Sequence, residues 1–192
     1  MRSDALANQR KIVEAATRLM AERGLEAELT DIAHEAGVGV GTVYRCVGNR
    51  DQVIETIVRD AVGQMAASLD EAESREDSAE NLIALLERLH TVVGKYGWVH
   101  AALIGGREEI RKEMRAVDPL RRFQALYERA RSSGELRDDI ESDVAAALIL
   151  GSLAPWAAMT LQTRGDARAA AEAVLSPFLA RATTANAGEA QS

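Results

Sequence analysis

This chain of 192 residues has little that covalent or metal chemistry could use. It has one cysteine, Cys46, which excludes an intramolecular disulfide and suits a reducing compartment. The three histidines, His34, His90 and His100, are scattered. Glu87 and His90 fall on one helical face, but two groups do not make a metal site. No nucleophile–base pair and no cofactor loop is visible, so neither an enzyme nor a cofactor protein is expected. Gly37, Gly39 and Gly41 lack the preceding strand and following lysine of a nucleotide-binding loop. Aromatics are only 4 % and prolines number three. No long apolar run is present either. The most apolar stretch, Val144 to Leu161, is short for a membrane span, carries Ser152, Pro155 and Trp156, and has no close basic flanks. It reads as a buried helix. No basic-then-apolar leader opens the chain, and a cytoplasmic protein without membrane contact is expected.

The chain also lacks a basic domain. Net charge is -7. Residues 1–60 carry eight Lys+Arg against ten Asp+Glu, and the remainder fifteen against twenty. Bulk electrostatic attraction to nucleic acid is therefore excluded, and any such binding must rest on a few well-placed cations.

What the chain does have is helix-forming sequence. Hydrophobic residues are 47 %, rich in Ala and Leu, which lose little side-chain entropy in a helix. Nothing reads as a strand. Ile12, Val13, Ala16, Leu19 and Met20 make a helical stripe over residues 5–23, stopped by Gly24. Short helices follow at 29–36 and 40–47, separated by Gly37-Val38-Gly39. Asn49 opens a long helix with Gln52 in capping-box register, running towards Leu69. Residues 70–80 are acidic and read as a solvated loop or frayed helix end. Further helices are expected at 80–94, 97–115, 119–133, 142–163 and 167–182. Pro119 sits at a favoured first position, Gly134 is a stop, and Pro155 and Pro177 should kink their helices. The segment 185–192 is small, polar and expected to be disordered.

The informative segment is Leu29-Thr-Asp-Ile-Ala-His-Glu-Ala-Gly-Val-Gly-Val-Gly-Thr-Val-Tyr-Arg45. Two short helices meet at a turn that needs a left-handed glycine. Ile32, Ala33 and Ala36 face inwards, and Val38 and Val43 fill the angle. Gly39 and Gly41 allow close approach of a phosphate or base edge. The second short helix of such a pair lies in the major groove. Thr42 can reach a base or phosphate, Tyr44 offers a hydroxyl to a phosphate, and Arg45 can pair with phosphate or two-pronged with guanine. Arg50 can meet a further phosphate at the start of the next helix.

These residues resemble the DNA-binding domain of the tetracycline-repressor (TetR) family over Arg10 to Val58. The match lies in Ala15-Ala16, Leu19, Glu22-Arg23-Gly24, Asp31-Ile32-Ala33, Ala36-Gly37-Val38, Gly41-Thr42-Val43-Tyr44 and Asn49-Arg50. The resemblance implies an all-α protein of about nine helices. An N-terminal three-helix helix-turn-helix domain (1–48) would precede a larger C-terminal helical bundle (49–184) for ligand binding and dimerisation. It implies a homodimer that binds a palindromic operator in double-stranded DNA and leaves it when a small-molecule effector binds. Four positions depart from the family pattern. Glu28 replaces a usual threonine. Thr30 stands where arginine is common and is kept among the DNA-facing residues. Val40 replaces a polar base reader and can at best meet a thymine methyl, and Cys46 replaces a His or Tyr that touches phosphate. Together they remove phosphate partners and add a negative charge. The alternative is therefore a helical ligand-binding protein that has lost strong DNA binding.

In the C-terminal part Trp98, His100, Leu103, Trp156 and Met159 are candidates to line an effector pocket, set against plain core packing. Small residues Ala145, Ala146, Ala147, Gly151 and Ala154, with Ala169, Ala170 and Ala173, suit close helix packing, either within the chain or between two copies. The resemblance favours the second.

Overall fold

The computed structural model describes residues 2–96, 108–154 and 166–180. Among these residues nine α-helices occur: α1 (Arg2–Arg23), α2 (Leu29–Glu35), α3 (Val40–Cys46), α4 (Arg50–Glu73), α5 (Ala79–Tyr96), α6 (Glu108–Val117), α7 (Pro119–Ser132), α8 (Ser142–Gly151) and α9 (Ala167–Leu175). No helix among them is long and apolar enough to cross a membrane.

Local chemistry sets the starts of α4, α7 and α9. Asn49 accepts a hydrogen bond from the Gln52 amide at 3.0 Å while the Gln52 side chain accepts one from the Asn49 amide at 2.9 Å. That reciprocal box satisfies two otherwise unpaired donors at the start of α4. Asp166 caps α9 by accepting from the Ala169 amide at 2.8 Å. Pro119 occupies the first turn of α7, where its missing N–H costs nothing.

Three expectations are corrected. The acidic stretch 70–80 is non-helical over 74–78 as read, but its start is helical to Glu73, because Arg122 on α7 gathers the carboxylates of Asp70 (2.6 Å) and Glu73 (2.6 Å). A cation from elsewhere in the chain thus quenches the repulsion that would otherwise fray that turn. The helix read over 142–163 stops at Gly151, with residues 152–154 in a turn; residues 155–163, with the kink expected at Pro155, lie outside the described residues. The last helix stops at Leu175 instead of reaching 182. Pro177 lies in a 3₁₀ turn (Ser176–Phe178), after which Leu179 pairs with Leu136 in an isolated antiparallel bridge. The Arg137 amide donates to Phe178 O at 2.9 Å and the Ala180 amide to Glu135 O at 2.8 Å. Proline's missing donor ends the helix, and the freed backbone finds partners across the loop after α7.

The buried apolar residues form two clusters. The first unites α1, α2, α3 and the first half of α4 through Ile12, Leu19, Met20, Ile32, Val43, Val53, Ile57 and Val58, and ends on α4 at Val62. Val92 and Tyr96 from the end of α5 complete it, with Met114 and Val117 of α6 packed against it. The second begins on α4 at Leu69 and is built from Leu82, Leu85, Leu86 and Leu89 of α5, Phe123, Leu126 and Tyr127 of α7, Ile149 of α8 and Leu175 of α9. The α4 and α5 helices therefore each pass from one core into the other.

Candidate nucleic-acid interface

The α2–α3 pair is held from behind. Ile32 and Val43 are fully buried. Arg18 on α1 pairs with Glu35 at 3.0 Å, and Arg23 reaches Asp31 at 3.5 Å. Gly37 between the helices has φ +65°, where a Cβ would collide with the backbone. The Val38 amide donates to Ala33 O at 2.9 Å, which fixes the angle at which α3 leaves.

With Val43 inward, α3 turns Gly41, Tyr44 and Arg45 outward and leaves Thr42 half-buried. Tyr44 is 56 % exposed, although a large aromatic ring gains by burial. Arg45 Nη2 donates to Thr42 Oγ1 at 3.1 Å, so the two polar side chains form one unit on the open face. Gly39 has open space where its Cβ would be, and a Cβ on Gly41 would meet Arg45 Nη1 at only 3.7 Å. Neither has a positive φ, so the fold by itself does not require glycine at either position.

The other sequence candidates fall into three groups. Thr30 is exposed in the first turn of α2. Val40 is half-buried, with part of its side chain packed against the N-terminal core. Arg50 is also partly committed: its Nε donates to Ala27 O at 3.1 Å, closing the loop between α1 and α2. Its remaining N–H groups lie at the start of α4. Glu28 precedes α2 without making a side-chain cap, and Cys46 is half-buried against the core. Trp98, His100, Leu103, Trp156 and Met159 lie outside the described residues.

Packing also defines the environment of Gly48 and His90. Gly48 has φ +119°, and a Cβ there would strike the Gln52 side chain at 2.1 Å. It clears the space in which the capping box closes, a role legible only once Gln52 is seen to fold back. His90 is fully buried, and its Nδ1 lies 2.9 Å from Leu86 O. Burial holds its pKa below the ordinary value despite that backbone contact. Among the described residues no group of His, Cys, Asp and Glu could hold a metal ion.

Comparison with known proteins bears on this arrangement. Residues 12–57 match the family described as bacterial regulatory proteins, tetR family. The fatty acid metabolism regulator protein of Bacillus subtilis (strain 168) is 22 % identical over 151 residues, which covers 74 % of this chain and 78 % of that protein. The crystal structure of the TetR family transcriptional regulator PfmR from Thermus thermophilus superposes with a TM-score of 0.71 at 20 % identity, covering 84 % of this chain and 93 % of that one. AibR in complex with isovaleryl coenzyme A and operator DNA superposes with a TM-score of 0.70 at 20 % identity, covering 89 % and 97 %.

Proposed function

We infer, from the premise that this chain belongs to the TetR family of bacterial regulatory proteins, that it is a ligand-responsive repressor and not an enzyme. It works in the cytoplasm as a homodimer, and α3 is its DNA-reading element. The observation that carries this is the outward face of α3. An exposed tyrosine, a Thr42–Arg45 polar pair and two glycines that the fold does not require suit a backbone-close polyanion better than solvent. Gly39 and Gly41 give the approach, Thr42 and Arg45 meet base edges or phosphates, and Tyr44, Arg50 and Thr30 meet phosphates. Residues 1–48 carry this reading head, while 49–184 serve effector binding and dimerisation.

For the dimer, α8 offers a stripe at helical spacing: Val144 (50 % exposed), Ala147, Leu148 (63 % exposed) and Gly151. Ala145 and Ala146 are fully buried within the chain, so those two small residues pack internally. On α9, Ala169 and Ala173 are exposed while Ala170 and Ala171 are buried. A second copy seated on the outward stripes would pair two reading heads, which must stand about 34–36 Å apart to enter successive major grooves.

The test is fluorescence anisotropy against duplexes tiling the DNA around the protein's own gene, at several salt concentrations. A palindromic site whose affinity falls steeply with salt is expected. Absence of any site above non-specific background would leave the helical ligand-binding protein as the better reading, with Glu28 and the inward Val40 as its physical reasons. The relatives named for fatty acid metabolism and crystallised with isovaleryl coenzyme A make acyl-coenzyme A thioesters the first effectors to add.

A further inference from the structure

The two cores meet at a polar seam. On α4 the buried residues of the first core end at Val62 and those of the second begin at Leu69; Gln64 and Ser68 lie between, with Met65 half-buried against the second core. On α5 the second core ends at Leu89 and the first resumes at Val92, with His90 between. Apolar packing confines the angle at which α4 crosses α5 only to within about 15–20°. Directional bonds narrow it further. Tyr96, at the end of α5, is 3 % exposed. Its hydroxyl donates to Asp60 Oδ2 and accepts from Gln64 Nε2 at 2.8 Å. Gln64 Nε2 also donates to Asp60 Oδ2 at 3.0 Å, so three side chains close a triangle across the two helices. Immediately before Asp60, Arg59 donates from Nε to Glu113 of α6 at 3.0 Å.

Beside the triangle lies a cleft of about 340 Å³ between α1, α4 and α5, lined among others by Arg10, Glu14, Thr17, Thr56 and Lys95. A close-packed seam would resist any change of angle, whereas this one has free volume on the α1 side.

We propose that Asp60, Gln64 and Tyr96 are positioning residues that set the angle between the reading head and the C-terminal core, and thereby the spacing of the two heads on DNA. The proposal rests on the DNA-binding reading for its consequence, but not for its geometry. The triangle fixes where α4 crosses α5. Opening it leaves both cores intact and lets the head pivot about the seam.

The experiment measures that angle directly. Spin labels are placed at His34→Cys on α2 and Ser132→Cys at the end of α7, in a Cys46→Ser background. Labelled chain is diluted into unlabelled chain so that only the intrachain distance is read by pulsed electron resonance. Tyr96→Phe keeps the buried ring and removes the hydroxyl, while Asp60→Ala removes the acceptor at an exposed position. Both are expected to broaden the head-to-core distance distribution to roughly twice its original width. Arg168→Gln, which breaks an ion pair with Glu80 on the second core, should leave it unchanged. On DNA, both brace variants should lose about tenfold in affinity for the palindrome and nothing for an isolated half-site, which a general loss of folding would not do. Superimposable distributions for the parent and Asp60→Ala overturn the proposal, whether or not Tyr96→Phe folds. A broadened distribution in a protein that binds no DNA supports the brace and overturns the repressor reading alone.

Discussion

Glycine in this chain has two separate uses, and single substitutions can tell them apart. At Gly37, φ is +65°, and alanine there should cost about 1–2 kcal/mol in urea unfolding. At Gly41 the backbone is helical and a Cβ meets nothing closer than 3.7 Å. Gly41→Ala should therefore leave stability unchanged or raise it by up to about 1 kcal/mol, while weakening operator binding measured by anisotropy. An unchanged affinity would show that DNA does not approach that point of α3. The buried His90 gives a pH effect with a definite sign. Its folded pKa lies below the ordinary 6.5, so below that pH the unfolded chain binds more protons and the folded state loses stability. The contribution is complete above about pH 6.5 and is lost as pH falls through the window below it. Urea midpoints at about pH 7 and pH 5.5 should differ less in His90→Leu than in the parent. The sequence showed a histidine on a helical face. Only the packing of α5 revealed that this face is the core.

At the scale of the element, helix starts and the glycine stops at Gly24 and Gly134 were legible, while the ends of α4, α8 and α9 were not. The capping box at Asn49 and Gln52 is a local reciprocal bond written in four consecutive residues, and it forms as read. Asn49→Ala should cost about 1 kcal/mol and lower the thermal midpoint without altering helix content. The C-terminal end of α4 depends instead on Arg122, 49 residues from Glu73. The Glu73 carboxyl is held below its usual range by that guanidinium hydrogen bond, and it is the tertiary contact that converts an acidic run into a helical turn. In Arg122→Ala, amide exchange at residues 70–73 should accelerate roughly tenfold while the first turns of α4 stay protected. Uniform acceleration along α4 would mean that the ion pairs do not act locally. The last helix shows the same limit. Pro177 was readable as a disturbance, but the outcome, termination at Leu175 and pairing of Leu179 with Leu136, required a distant partner segment that no local pattern announces.

For the whole molecule the consequential surface is the outward stripe of α8. Val144→Glu with Leu148→Glu would place two carboxylates where the proposed interface is apolar, and desolvating them there is costly. Sedimentation should then show monomers at micromolar concentration, with helix content retained. Affinity for a palindrome should fall far more than affinity for a half-site, since one chain can no longer place two heads. A dimer that survives the double substitution would put the interface elsewhere.

The sequence by itself determined the all-α class, the helix-turn-helix and the residues presented by α3, because each rests on local physics: helical periodicity, a left-handed glycine and a cap. Tertiary structure decided what those residues were free to do. It packed part of Val40 against the core and part of Arg50 against the Ala27 carbonyl, and it turned Ala145 and Ala146 inward while Val144 and Leu148 face out. It also closed Asp60, Gln64 and Tyr96 into one triangle. The Arg50 bond and the two bonds to Tyr96 join residues 23 to 36 positions apart, and only the packed chain supplies the partner and the direction that a hydrogen bond or a buried side chain needs.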